Sequence, residues 1–365
     1  MRQRQTGFSI MELLIALLLG LVVVAGIVQL FVGNSRTYAL VNAQSRLQEN
    51  ARFAFEFMTQ AARNAGYYGC APEANYVIKG LVGSWESIPE YDLSRSVGGF
   101  EALGDGNFLP NNLLTLPVSE DDLDLNVHIS GHGIDRSALQ DTSDIVIFRN
   151  IEQPVARLQQ VLQADGDPVV YTPDGEPDFR VDDVVVVADC EQAALIKVTG
   201  IAEGVNNKTL FHEVSQDGFN FDNGATVSTL AGDILPRTLS VIGRAYGISS
   251  VVGRMQTTIF FIAPSVQSNQ SGDQIYALWR KQGAEAPVEL VQGVENMQIY
   301  YGVDTTLDQI PNVNRYQTID AVNDPASIVA VRIRLDVSSP DNLAETNDRL
   351  RRSFSKTISV RNSGV

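Results

Sequence analysis

The chain has 365 residues, 44% hydrophobic and 19% charged, enough to bury a sizeable core and a balance that fits neither a disordered chain nor a polytopic membrane protein. Its net charge is −16. With no basic stripe to offset repulsion from phosphates, direct binding of nucleic acid is not expected.

The first element follows a short basic stretch, Met1 to Gly7, that contains Arg2 and Arg4. From Leu13 to Gly33 the only polar side chain is Gln29. An apolar run of about 20 residues spans a bilayer as a helix. The two arginines ahead of it place the short N-terminus in the cytoplasm and the remainder across the membrane. A secretory signal would have a shorter apolar core followed by a small-residue cleavage site. A plain anchor explains the length but not Glu12, a carboxylate at the cytoplasmic end of the span, where charge is costly unless paired. The bland alternative for Glu12 is a side chain that snorkels to the interface.

No proline occurs between Phe8 and Cys70. Leu40, Ala43, Leu47, Ala51, Ala54, Met58, Ala61 and Ala65 recur at steps of three and four, with Gln44, Arg46, Gln48, Glu49, Arg52 and Arg63 between them. This spacing predicts one continuous helix from Phe8 to about Asn64, stopped at Gly66 and about 85 Å long. Phe53 and Phe57 are expected in the core beneath the following domain.

Residues 71–143 are rich in Gly, Pro, Asn and Asp and read as long loops with short elements. Strand patterns then dominate: Asp144–Phe148, Val184–Ala188, Ala194–Thr199, Thr238–Tyr246, Met255–Ile262, Gln274–Arg280, Val288–Val291, Met297–Tyr301, Ile328–Val337 and Phe354–Val360. Many alternate apolar and polar residues, as antiparallel strands with one wet face do. Gln163–Asp183 and Ser265–Asp273 read as connections. The expected fold class is α+β: a long N-terminal helix, half membrane-spanning and half amphipathic, packed on a β-rich, mainly antiparallel C-terminal domain.

Chemical motifs are sparse. His128 and His132 lie four apart among glycines and lack a third ligand nearby, so a loop outweighs a zinc site. The Glu120–Asn126 cluster fails the EF-hand pattern, with Val127 where glycine belongs and Gly133 where glutamate belongs; a solvated acidic loop outweighs calcium. His212 has no visible catalytic setting. No nucleophile elbow or Walker A loop is present. We therefore assign no catalytic residue, metal or cofactor, and expect that the chain is not an enzyme.

The string Gly7-Phe8-Ser9-Ile10-Met11-Glu12 resembles the prepilin signal of type IV pilins: a basic leader, Gly, an aromatic residue, then Glu five residues into the mature chain. The resemblance implies cleavage between Gly7 and Phe8 by a prepilin peptidase and N-methylation of Phe8. It also implies a subunit-assembly role for Glu12, which would pair with the Phe8 ammonium of a neighbouring subunit. The division is then leader 1–7, spine helix 8–65 with about 8–33 in the membrane, and periplasmic β-rich domain 66–365. In such an exported domain the two cysteines, Cys70 and Cys190, are expected to form a disulfide, the alternative being two unrelated buried thiols.

Glu289 to Gly302, with its Gly293-Val294-Glu295-Asn296 centre and Tyr301-Gly302 end, is similar to a segment of PilW-type minor pilins. So are Ile328–Val337, Phe354–Asn362, and the Gly66–Cys70 stretch matched by Asp189-Cys190-Glu191. J-type minor pseudopilins share parts of this pattern. The resemblance implies a minor pilin of the inner membrane and pilus, single-pass with a periplasmic C-terminal domain, in a priming or tip complex. Its implied partners are the other minor pilins, the major pilin, the prepilin peptidase, an assembly platform with its ATPase, a tip adhesin and inner-membrane lipid. The competing readings are a minor pseudopilin of type II secretion and a membrane-anchored periplasmic binding protein or enzyme.

Overall fold

The computed structural model describes residues 9–69, 77–78, 96–104, 108–110, 139–162, 168–172, 178–190, 193–212, 245–283, 285–306, 310–342 and 348–360. The first element is α1 (Ile10–Asn64), 55 residues long. Ser9 caps its start: the Ser9 hydroxyl accepts from the Glu12 N–H at 3.2 Å, and the Glu12 carboxylate accepts from the Ser9 N–H at 3.0 Å. This reciprocal capping box satisfies two donors that an uncapped helix leaves open. At the other end Ala65 leaves helical geometry and Gly66 takes φ +76°, ending the helix where the sequence places the stop.

The strands follow in chain order: β1 (Val77–Ile78), β2 (Val97–Ala102), β3 (Phe108–Pro110), β4 (Ile145–Ile151), β5 (Ala156–Arg157), β6 (Val169–Tyr171), β7 (Val184–Ala188), β8 (Ala193–Lys197), β9 (Gly200–Glu203), β10 (Lys208–Phe211), β11 (Val251–Pro264), β12 (Tyr276–Gln282), β13 (Val288–Gln292), β14 (Val294–Val303), β15 (Arg315–Gln317), β16 (Ile328–Ser338) and β17 (Arg351–Ser359). They make a ten-stranded sheet organised around β11, a three-stranded sheet β6-β10-β9, and a four-stranded sheet β15-β14-β16-β17. Every pairing is antiparallel except β1 with β8. The protein is therefore α+β, a long apolar N-terminal helix followed by a mostly antiparallel β domain.

The main core lies between α1 and the sheets. Leu47, Ala51, Ala54, Met58, Ala62 and Ala65 on the helix meet Met297 and Ile299 of β14 and Val331, Ile333, Leu335 and Val337 of β16. The alternation along β16 puts those apolar side chains inward and Arg332 and Arg334 outward, as a half-buried strand requires. The small alanines let the helix approach the sheet closely.

Two of the places where the large and four-stranded sheets join are corners of the chain. One is Gly293, between β13 and β14, at φ +80°; a Cβ there would lie 2.5 Å from the Ser338 carbonyl oxygen. Only glycine fits both the conformation and the close approach. The other is the start of β4. The Asp144 N–H donates to the Met297 carbonyl at 2.8 Å, and the Ser143 hydroxyl accepts from the Met297 N–H at 3.1 Å.

Several expectations need correction. Phe53 is 43% exposed rather than in the core, and Leu40 is 44% exposed because the domain begins to cover the helix only at Ala43. Gln163–Asp183 is not a plain connection, since β6 lies within it. Val97–Ala102, by contrast, is a six-residue strand of the short kind expected among the loops of 71–143. Of Thr238–Tyr246 only residues 245–246 are described, and Tyr246 makes an isolated bridge to Leu162.

Candidate assembly surface

The longest exposed surface is the N-terminal part of α1. Every residue from Ile10 to Asn42 is exposed. This stretch is long and apolar enough to cross a membrane, with an 18-residue window of mean hydropathy 2.9 and no part of it buried. A core helix of similar composition would be covered by its own domain. Here Leu14, Leu18, Leu21 and Phe31 are each more than half exposed, so the surface calls for a cover that none of the described residues supplies. Glu12 sits at the head of this stretch, its carboxylate turned back to the Ser9 N–H.

Where the helix enters the domain, an open groove of about 530 Å³ runs along it. Arg46, Asn50, Phe53 and Phe57, spaced so that they share one helix face, form one wall. Leu290, Val291 and Gln292 of β13, with Pro340, form the other. The Asn50 amide donates to the Gln292 carbonyl at 2.9 Å and ties the walls together. Guanidinium groups flank the aromatics: Arg52 lies over the Phe53 ring at 5.6 Å and Arg280 over the Phe57 ring at 6.0 Å.

A third feature is a group of carboxyls at the seam between the sheets. The buried Asp144 accepts from the Ala102 N–H of β2 at 3.0 Å and from the Ile299 N–H of β14 at 2.8 Å. Burial raises its pKa from 3.8 to about 6, opposed by those two hydrogen bonds. Burial, then the Asp144 and Asp320 charges, raise Glu101 from 4.5 to about 7. Asp320 sits in the 3-10 turn Ile319–Ala321. The Tyr301 hydroxyl donates to the Gly98 carbonyl at 3.2 Å, and burial pushes its pKa well above the ordinary value. Gly99 makes room for this packing, since a Cβ there would lie 2.4 Å from the Tyr301 oxygen. Among the described residues no group of three His, Cys, Asp or Glu side chains is arranged to hold a metal ion.

Of the residues singled out from the sequence, Gly7, Phe8 and Cys70 lie outside the described residues, as do His128, His132 and the Glu120–Asn126 cluster. Cys190 lies just beyond β7, and His212 is buried beyond β10. The carboxyl group escaped sequence reasoning because Glu101, Asp144 and Asp320 are far apart in the chain and belong to no motif. The groove left a partial signal: Phe53 and Phe57 stand beside, rather than within, the buried Leu47-Ala51-Ala54-Met58 stripe.

The family model described as PilW, Type IV Pilus-assembly protein W, matches residues 259–348. The matched stretch runs from the middle of β11 through β16 and holds the Gly293 corner, one wall of the groove and part of the surface against which α1 packs. No curated protein and no solved structure matches the chain. The match points to involvement in type IV pilus assembly and suggests a structural rather than an enzymatic role.

Proposed function

We propose that the protein is a minor pilin of the PilW type, inserted in the inner membrane by α1 with its β domain in the periplasm, and assembled into a priming or tip complex of the pilus. Residues 1–7 act as a leader removed between Gly7 and Phe8, Phe8 is N-methylated, residues 8–65 form the spine and residues 66–365 the periplasmic domain. The observation that carries this reading is one helix whose first part is apolar and uncovered while its second part packs on the segment that matches the pilus-assembly family. Such a helix leaves the membrane only for another apolar environment, and a bundle of like helices supplies one.

In this reading the Glu12 carboxylate exchanges its local bond to the Ser9 N–H for the Phe8 ammonium of a neighbouring subunit. A carboxylate and an ammonium drawn into a low-dielectric bundle are tolerated when paired. The neighbours are the other minor pilins and the major pilin, with the peptidase, the assembly platform and a tip adhesin acting on or beside them.

A Cys70–Cys190 bridge is part of the same proposal. Gly69, the residue before Cys70, approaches Val251, whose side chain lies 3.2 Å from a Cβ built at Gly69. Val251 pairs in register with Ala188, two residues before Cys190. The approach of Gly69 to the strand that pairs with β7 supports the bridge, and no free cysteine is found among the described residues.

The test is the intact mass of the protein from cells with and without prepilin peptidase. We expect a chain beginning at Phe8, one methylene heavier than the bare sequence and two hydrogens lighter for the disulfide, with the leader retained when the peptidase is absent. A full-length chain in both strains would overturn the pilin reading.

A further inference from the structure

The C-terminal strand β17 is the longest edge strand among the described residues. It pairs only with β16. The other edges are short, as in β1, β3 and β15, or have an edge carbonyl taken by the helix, as β13 does where Asn50 bonds its Gln292 carbonyl; α1 also packs against β17, on the face that carries Phe354 and Ile358. β17 runs for nine residues with no proline and no break in register. Proteins blunt an edge with a proline, a bulge, a very short strand or charged side chains; β17 has none of the first three, and its guard is charge, from Arg351, Arg352 and Lys356.

Its register fixes which backbone groups face outward. The Ser339 N–H donates to the Leu350 carbonyl at one end, and the Val360 N–H to the Val329 carbonyl at the other. In an antiparallel ladder alternate residues bond the partner strand. Arg352, Phe354, Lys356 and Ile358 therefore turn their amides to β16. Arg351, Ser353, Ser355, Thr357 and Ser359 turn theirs away, and all five are exposed.

Charge selects the occupant. Although the chain is strongly acidic as a whole, this edge carries Arg351, Arg352 and Lys356, with Arg332 and Arg334 beside it on β16. The nearby acids are engaged: Glu295 with Arg349 and Arg351, at 3.0 and 2.8 Å, and Asp336 with Arg334 at 3.5 Å. Arg352 and Lys356 have no ion pair among the described residues. A strand added here would place side chains opposite Arg352, Phe354, Lys356 and Ile358 on its inner face, a pattern that fits alternating acidic and apolar residues. A second copy of β17 would instead bring its own three cations to the same seam.

We infer that the outer edge of β17 is a docking site for an extended, acidic strand of a different polypeptide, added to the sheet by backbone hydrogen bonding. This inference stands on the strand geometry and does not depend on the pilus reading.

The test uses the full-length protein in detergent micelles and two synthetic peptides, Glu-Ser-Val-Ser-Glu-Ser-Val and its counterpart with Lys in place of Glu, so that charged and apolar side chains alternate along one face of the strand. We expect the acidic peptide to bind at least about ten-fold more tightly and to slow amide hydrogen exchange at Ser353, Ser355 and Thr357. Ser355→Pro removes one outward N–H and no bond to β16, a placement an edge strand tolerates. It should abolish binding with an unchanged Tm, while Ser355→Thr retains it. Equal affinity for the two peptides, or binding that survives in Ser355→Pro, would overturn the proposal. If Ser355→Pro fails to fold, exchange in the wild-type chain decides: protection must appear at the three outward amides, and its absence overturns the site. Dimerisation of the free chain through this edge would give the site to a second copy and overturn the acidic partner.

Discussion

The two parts of α1 belong to one unbroken helix, yet they are built for different surroundings. From Ile10 to Asn42 the apolar residues run around the whole circumference and every one is exposed. From Ala43 to Asn64 the apolar residues narrow to a stripe, and Leu47, Ala51, Ala54 and Met58 vanish beneath the sheets. A helix apolar all round needs an apolar medium, whereas one with a stripe needs a single packed face. The domain therefore begins where the pattern changes, and the first part is left for a lipid or protein cover that the described residues do not provide.

The sharpest test of the packed part is to remove an apolar side chain from its buried stripe and from the face beside that stripe. Met58→Ala should destabilise the domain by about 2–5 kcal/mol, because it empties a fully buried position; Phe53→Ser, at the groove, should change stability by less than about 0.5 kcal/mol. Chemical denaturation of the full chain in detergent measures both. Equal effects would mean that the groove aromatics are core after all.

In the uncovered part, Leu17→Arg should leave domain unfolding unchanged and weaken membrane integration by about 3 kcal/mol. Carbonate extraction of membranes reads the integration. A loss of domain stability in this variant would contradict the division of the helix into two environments.

The smallest effect concerns the seam. Glu101 and Asp144 have folded-state pKa values raised to about 7 and about 6, so the folded chain binds protons more tightly than the unfolded one. Their contribution to stability is fully present below their unfolded values and is lost as pH rises through the folded ones. Wild-type Tm should therefore fall relative to Glu101→Gln between about pH 5 and pH 8. A difference that is flat or grows in the opposite direction would refute the crowding of carboxyls at the seam.

Much of this architecture is legible in the residues. The apolar run from Leu13 to Gly33, the steps of three and four from Leu47 to Met58, and the alternation in Ile328–Val337 each carry their period openly. The three-stranded sheet is less visible, because β9 and β10 are four residues each, too short for alternation to stand out. Its signal is the Gly204-Val205-Asn206-Asn207 turn, at whose tip Val205 is almost fully exposed. Phe53 misleads for a different reason. A phenylalanine beside a buried stripe has the composition of a core residue, and only the path of β13 decides whether anything lies over it.

The sequence by itself determined that the chain has a membrane-length apolar helix continuous with an amphipathic one, followed by a β-rich domain, because local periodicity and length dictate those elements. Tertiary structure alone decided that Glu101, Asp144 and Asp320 share a seam, that Gly293 turns the corner between two sheets, and that β17 is left at an open edge. Those outcomes depend on which strands become neighbours, and pairing between residues far apart in the chain is not written in the local pattern of either partner.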